Sequence, residues 1–328
     1  MNQPIRRIGV YTSGGDAPGM NACVRAVVRT ATSKDLEVFG VRRGYSGMIE
    51  GDFVEVDRSS VSNLLQQGGT ILKSARSERF RTAEGREQAA AQLRQAGIQA
   101  LVAIGGNGTF RGATIFNDEH GIPVVGCPGT IDNDLYGTDE TIGYDTALNT
   151  ALDNIDRIRD TADAHNRLFL IEVMGRDAGF IALNSGIGGG AELIILPETI
   201  TDMDEIKERV LSLMSAQSRS SIAVVAEGDD LGGAIHIGDE LRNDPMFSHV
   251  DLRVCVLGHT QRGGSPTARD RVLASRLGAS AVEALLQGHT NVMVGIVANK
   301  VKLTPMKHTW DRKKTIDYDL LKLASMLS

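Results

Sequence analysis

Short apolar runs recur along the chain, each followed by a glycine-rich or polar turn and, in the clearest cases, by a stretch of helical periodicity. Ile8-Gly9-Val10-Tyr11 leads into Thr12-Ser13-Gly14-Gly15-Asp16-Ala17-Pro18-Gly19, and a helix is predicted from about Asn21. Leu101 to Ile104 leads into Gly105-Gly106-Asn107-Gly108-Thr109 and a helix running through Phe116. Ile122 to Val125, Leu168 to Val173, Ile222 to Ala226 and Val254 to Leu257 also read as strands. Runs that are apolar throughout belong to strands covered on both faces, and their alternation with helices predicts parallel sheets. From Asp145 to Arg159, Ala147, Leu148, Ala151, Leu152, Ile155 and Ile158 recur at helical spacing, with Asp153, Asp156, Arg157 and Arg159 mainly on the solvated side. The expected class is α/β, with a first domain boundary just before that helix.

Composition sets limits on this picture. The 328 residues suffice for two domains or one large α/β unit. Apolar residues at 41% and charged residues at 23% are ordinary for a globular protein. The apolar runs are too short to span a bilayer, and Met1 to Arg7 is not followed by the apolar core of a secretory signal, so a cytoplasmic protein without membrane association is expected. The net charge of −6 argues against a general nucleic-acid binder. Cys23, Cys127 and Cys255 lie far apart in apolar contexts and read as buried free thiols, not as a disulfide framework or metal cluster.

Candidate chemistry concentrates after the strands. Pro128-Gly129-Thr130-Ile131-Asp132-Asn133-Asp134 sets two carboxylates two residues apart beyond a strand's carboxyl end, where open α/β sheets present their ligands. One carboxylate can accept a proton from a hydroxyl while the other holds a metal or its waters. Gly14-Gly15 and Gly105 to Thr109 each pass from a strand through glycines into a helix, which aims N–H groups and the helix dipole at an anion. Neither closes with Gly-Lys-Ser/Thr, and no full G-x-G-x-x-G with a ribose-binding acid is present. Arg76, Arg81, Arg167, Arg176, Arg253 and Arg262 are expected in loops or at strand ends, where guanidinium forks bind phosphate oxygens. His259 reads as a hydrogen-bonder at a strand end. Cations, backbone amides, a metal site and a base are the parts that phosphoryl transfer needs.

The segments Thr12 to Asn21, Pro128 to Asp134, Met174-Gly175-Arg176 and Gly258 to Pro266 closely resemble the bacterial 6-phosphofructokinases, in order from about Ile8 to Ala298. The resemblance implies transfer of the γ-phosphoryl group of ATP to the 1-hydroxyl of fructose 6-phosphate, with magnesium. It implies two doubly wound, mainly parallel-sheet domains: 1–143 plus 261–311 for ATP, and 144–260 plus 312–328 for the sugar phosphate. A homotetramer is implied as well. Asp132 would be the general base. Thr130 and Ile131 would position the acceptor, and Arg76 and Arg176 would stabilise the moving phosphoryl group. Met174, Gly175, Glu227, His259, Thr260, Gln261 and Arg262 would line the sugar-phosphate pocket. Arg167 and Arg253 would reach the 6-phosphate from a neighbouring subunit. Gly15, Tyr45, Arg76, Ser77, Arg81, Gly106, Asn107, Gly108 and Thr109 would surround ATP. Asn107 and Asp134 would serve the metal. Arg25, Arg29, Arg58, Arg159, Gly190 and Glu192 match positions that bind the effectors ADP or phosphoenolpyruvate.

Several positions depart from or discriminate within that pattern. Pyrophosphate-using relatives usually carry Asp at the position of Gly108 and Lys at that of Gly129; glycine at both points to ATP. The family's Gly-Gly-Asp-Gly reads Gly-Gly-Asn-Gly, so Asn107 offers an amide oxygen without charge. An aromatic residue often follows the equivalent of Arg76; here it is Ser77. The basic cluster expected before Ile222 reads Ala216-Gln217-Ser218-Arg219, and an Asp expected near Asn63 is absent, so weakened effector control is expected. A regulatory, non-catalytic paralogue and a pyrophosphate-dependent enzyme are the alternative readings.

Overall fold

The apolar runs all become strands. A computed structural model describes residues 4–163, 167–199, 202–215 and 221–327. Eleven strands lie among them: β1 (Arg7–Thr12), β2 (Glu37–Val41), β3 (Phe53–Glu55), β4 (Ala100–Gly105), β5 (Val124–Pro128), β6 (Leu168–Val173), β7 (Leu193–Ile195), β8 (Ser221–Ala226), β9 (Leu252–Val256), β10 (Val292–Val297) and β11 (Lys300–Pro305). The helices are α1 (Met20–Thr32), α2 (Gly44–Glu50), α3 (Ala83–Gln95), α4 (Asn107–His120), α5 (Tyr144–Asp163), α6 (Phe180–Gly188), α7 (Met203–Ser215), α8 (Gly233–Asn243), α9 (Ala268–Leu286), α10 (His308–Asp311) and α11 (Tyr318–Leu327).

The chain divides into two compact units. The first comprises residues 1–131, 135–146 and 262–314, and the second 132–134, 147–261 and 315–328. The division falls inside α5, after its first turn, where a boundary just before the helix was expected. Capping explains this. Asp270 on α9 accepts hydrogen bonds from the Gly143 and Thr146 N–H groups at 2.8 Å each, which ties the start of α5 to the first unit.

The first unit holds a seven-stranded sheet in the order β11-β10-β5-β4-β1-β2-β3. Its β2-β1-β4-β5-β10 section is parallel, and β3 and β11 close the edges antiparallel. Every residue of β4 is buried, as expected of a strand covered on both faces. Helices α1 and α9 pack together there. A Cβ on Gly278 of α9 would stand 2.7 Å from the Cys23 carbonyl oxygen, so only glycine permits this approach. The core on the sheet's other side gathers Tyr11, Met48, Leu93, Leu101, Phe110 and Phe116.

The second unit holds a four-stranded parallel sheet in the order β7-β8-β6-β9. Its core includes Leu170, Ile195, Ala223, Val225, Ile237 and Leu241. Cys23 and Cys127 are buried free thiols, but Cys255, on edge strand β9, is half-buried. No helix among the described residues is long and apolar enough to cross a membrane.

Candidate active site

Two turns of the first unit present main-chain N–H groups beyond strand ends. The Ser13 N–H donates to the Ile104 carbonyl at 3.0 Å, and the Gly129 N–H to the Gly105 carbonyl at 2.9 Å. These bonds tie the turns after β1, β4 and β5 to one another. The Thr109 hydroxyl, in the first turn of α4, donates to the Ser13 carbonyl at 3.1 Å. A Cβ on Gly105 would fall 2.3 Å from Thr109 Oγ1 and 2.6 Å from the Ser13 oxygen, so the two turns meet across a glycine. At Gly108, by contrast, an added Cβ meets open space. The leading N–H groups of a helix lie beyond the reach of its own carbonyls, and in α4 they begin at Asn107.

Around these turns lie the other residues expected to surround a nucleotide. Gly15 is exposed, and the Arg262 guanidinium lies against it, donating to the Asp16 carbonyl at 3.2 Å. Thus Arg262, expected on the sugar-phosphate side, packs on the β1–α1 turn. Arg76 and Arg81 are exposed, and Ser77 is half-buried with its hydroxyl accepting from the Phe80 N–H at 3.4 Å. Arg81 closes the 3-10 turn Arg79–Arg81 and pairs with Glu78 at 3.2 Å. Tyr45 is nearly buried. Thr130 is buried, its carbonyl accepting from the Thr141 hydroxyl at 2.6 Å, and the Ile131 side chain is wholly enclosed. Arg25 and Arg29 follow one another on α1; burial and the neighbouring Arg29 charge lower the Arg25 pKa. Arg58 is exposed in the loop after β3.

The second unit supplies charged side chains. Asp132 is 2% exposed, and its carboxylate lies 3.4 Å from Nε of Arg176. Asn133, at φ 54°, turns the chain between Asp132 and half-buried Asp134. Arg176 itself adopts φ 53°, a left-handed conformation that costs a non-glycine residue about 1–2 kcal/mol. What holds it there is Glu227, whose Oε1 accepts from the N–H groups of Gly175 at 3.3 Å and Arg176 at 2.8 Å. The Gln261 side chain accepts from the Met174 N–H at 2.8 Å. Met174-Gly175-Arg176 is therefore clamped by a carboxylate from the end of β8 and an amide from the turn after β9. His259 and Thr260 are exposed on that same turn. One helix further on, Glu198 accepts from the Gly179 N–H at 2.8 Å and so caps α6, a role that no local motif signalled.

At the opposite end of β6, Arg167 and Arg253 share one carboxylate. Arg167 Nε lies 2.7 Å and Arg253 2.9 Å from the oxygens of Asp251. Arg253 is the second residue of β9, at a strand end as expected, where the edge strand leaves it exposed. Arg159 pairs with Glu192 at 3.1 Å and donates to the Gly190 carbonyl at 2.5 Å. It therefore leaves the solvated face expected of it, whereas Arg157 stays there, paired with Asp153 at 3.0 Å. Ala216 to Arg219, the expected departure in the effector region, lie outside the described residues.

A family model described as phosphofructokinase matches residues 7–285. This chain belongs to the phosphofructokinase family. It is 58% identical over 324 residues to ATP-dependent 6-phosphofructokinase 1 of Thermus thermophilus, covering 99% of this chain and 100% of that one. It is 56% identical to the ATP-dependent 6-phosphofructokinase of Cytophaga hutchinsonii, covering 99% and 98%. Among solved structures it resembles phosphofructokinase from Saccharomyces cerevisiae, with a TM-score of 0.86 and 37% identity over 97% of this chain. The chain spans 46% of that yeast subunit.

Magnesium suits the donor set. No group of three or more His, Cys, Asp or Glu residues gathers among the described residues. The oxygens expected from the resemblance, the Asp134 carboxylate in the second unit and the Asn107 amide in the first, are each of the hard type. Magnesium is typically held by one or two such oxygens together with water and substrate phosphates, not by a closed protein cage.

Proposed function

We propose that this phosphofructokinase transfers the γ-phosphoryl group of ATP to the 1-hydroxyl of D-fructose 6-phosphate. The observation that carries this reading is the buried Asp132 carboxylate beside Arg176, in a chain 58% identical end to end to a relative named for that activity. Asp132 is the base that takes the proton from the attacking hydroxyl. Arg176 lies against that carboxylate and, with Arg76, neutralises charge spreading over the moving phosphoryl group. Asn107 and Asp134 would offer oxygens to magnesium, which would supply positive charge to offset that of the nucleotide phosphates. The Glu227 and Gln261 clamps keep Met174, Gly175 and Arg176 in position for the sugar phosphate. The remaining expected contacts, Gly15, Tyr45, Ser77, Arg81 and Gly106 to Thr109 for ATP, and Thr130, Ile131, His259, Thr260 and Arg262 for the acceptor, stay part of this proposal. So do Arg25, Arg29, Arg58, Arg159, Gly190 and Glu192 for ADP or phosphoenolpyruvate.

ATP is favoured over pyrophosphate by glycine at the two positions where pyrophosphate-using relatives usually carry a side chain. Gly108 opens onto free volume. A side chain at Gly129 would start 3.1 Å from both Ile104 and Met20.

A homotetramer is part of this proposal, and the geometry of β6 supports self-association. Arg167 precedes β6 and Met174 follows it, six strand residues apart, or about 20 Å at the rise of an extended strand. One small sugar phosphate does not bridge that span. Arg167 and Arg253, with two positive charges on the single Asp251, therefore serve the 6-phosphate of a neighbouring subunit's site.

The test is a coupled assay for fructose 1,6-bisphosphate with magnesium, comparing ATP and pyrophosphate, alongside sedimentation. Turnover with ATP by a tetramer is expected. No turnover with either donor, in protein that still binds fructose 6-phosphate, would sink the kinase reading in favour of a regulatory paralogue.

A further inference from the structure

Tyr11 is the one residue of β1 whose side chain carries a polar group into the aromatic side of the core. It is fully buried, and its hydroxyl lies 3.0 Å from that of Tyr45. A buried hydroxyl needs a partner, and the direction of donation between these two is set by the bond that Tyr45 makes to α4. The Tyr45 hydroxyl donates its proton to the Thr109 carbonyl at 2.5 Å, so it receives the Tyr11 proton on a lone pair. Thr109, in turn, donates to the Ser13 carbonyl. The Tyr45 ring is fixed from its other face by Phe80, stacked at 3.9 Å and 18°. Phe80 belongs to the 3-10 turn that ends in Arg81 and follows Arg76 and Ser77.

One chain of hydroxyls thus joins β1, the start of α2 and the first turn of α4, and ring stacking on Phe80 adds the Arg79–Arg81 turn. We propose that Tyr11 is a positioning residue for the nucleotide: through Tyr45 it sets the first turn of α4, and so the aim of the Asn107 to Thr109 N–H groups at ATP phosphates. The inference rests on the reading of that turn as an ATP site.

The relay is ordered, so its two ends are unequal. Without the Tyr11 hydroxyl, Tyr45 still donates to Thr109. Without the Tyr45 hydroxyl, Thr109 loses its donor and the Tyr11 hydroxyl is left buried without an acceptor. The full chain is titrated with magnesium ATP by calorimetry, as wild type, Tyr11→Phe, Tyr45→Phe and the double variant. ATP affinity should fall about tenfold in Tyr45→Phe, equivalent to about 1.4 kcal/mol, and about threefold in Tyr11→Phe. The KM for fructose 6-phosphate should not change. The double variant should melt no lower than Tyr45→Phe, because it removes the stranded hydroxyl.

Unchanged ATP affinity in both single variants, whatever their melting temperatures, would reduce the pair to packing and overturn the proposal. So would an equal loss toward both substrates, or a double variant less stable than Tyr45→Phe. Wild-type protein that binds ATP without turnover would break the kinase reading alone, and the affinities would still decide the relay. Wild-type protein that does not bind ATP would overturn both.

Discussion

In the first unit, the turns after β1 and β4 hold their shape through main-chain bonds and neutral hydroxyls: Ser13 to Ile104, Gly129 to Gly105, Thr109 to Ser13 and Tyr45 to Thr109. In the second unit, the loop after β6 holds its shape through formal charge: Glu227 on the N–H groups of Gly175 and Arg176, and Asp132 against the Arg176 guanidinium. The contrast follows from what each must do in the proposed reaction. A highly charged nucleotide is best met by N–H groups already in place, which a neutral scaffold sets without competing for them. A sugar hydroxyl must lose a proton, which calls for a positioned carboxylate to accept it. The first kind of region is broken by an added atom, the second by a removed charge.

The sharpest way to break the comparison is at the base. Asp132→Ser should lower kcat about 10²–10⁴-fold with a small change in ATP affinity. Near-normal kcat in a folded variant would remove Asp132 from the chemistry. Next comes the added atom. Gly105→Ala puts a methyl group 2.3 Å from Thr109 Oγ1 and should lower stability by about 1–3 kcal/mol while raising the KM for ATP more than that for the sugar phosphate. Equal effects on the two constants would erase the distinction between the regions.

Asp270 is the exception that sharpens it, a charge-bearing group buried in the first unit. Burial raises its pKa from 3.8 to about 6 against the hydrogen bonds from Thr146 and Gly143. The folded protein therefore holds this proton more tightly than the unfolded chain does. Its stabilising contribution is complete below 3.8 and is lost as pH rises through about 6, a total of about 3 kcal/mol. Asp270→Asn should flatten the decline in unfolding free energy between about pH 4 and pH 7. Parallel pH profiles for wild type and variant would assign that decline elsewhere. The smallest effect is expected on the surface of α5. Arg157→Ala should change stability by about 0.5 kcal/mol or less, because the Asp153 pair is exposed and screened. A loss several times larger in urea unfolding would mean that the helix surface is covered.

Much of the fold was legible. The continuous apolar runs became β1, β4, β5, β6, β8 and β9 with shifts of a residue or two, because strands buried on both faces leave no room for polar residues. The glycine turns were legible because strand–glycine–helix geometry is local. Less legible were the clamps. Glu227, Gln261 and Glu198 act on N–H groups 52, 87 and 19 residues away. Arg262 gave no sign that it would turn toward Gly15 and Asp16.

Spacing along the chain decides where a strand ends and which residues come after it, since that depends on neighbours within a few positions. It was enough to bring out the mainly parallel α/β class and the aspartates after β5, and the motifs carried the resemblance to the family. Packing decides which hydroxyl donates to which carbonyl, and which carboxylate is stripped of water. Those outcomes depend on groups far apart in sequence: Tyr11, Tyr45 and Thr109 became one relay, and Asp270 became the cap of a helix that starts 126 residues before it, only because the first unit closed around them.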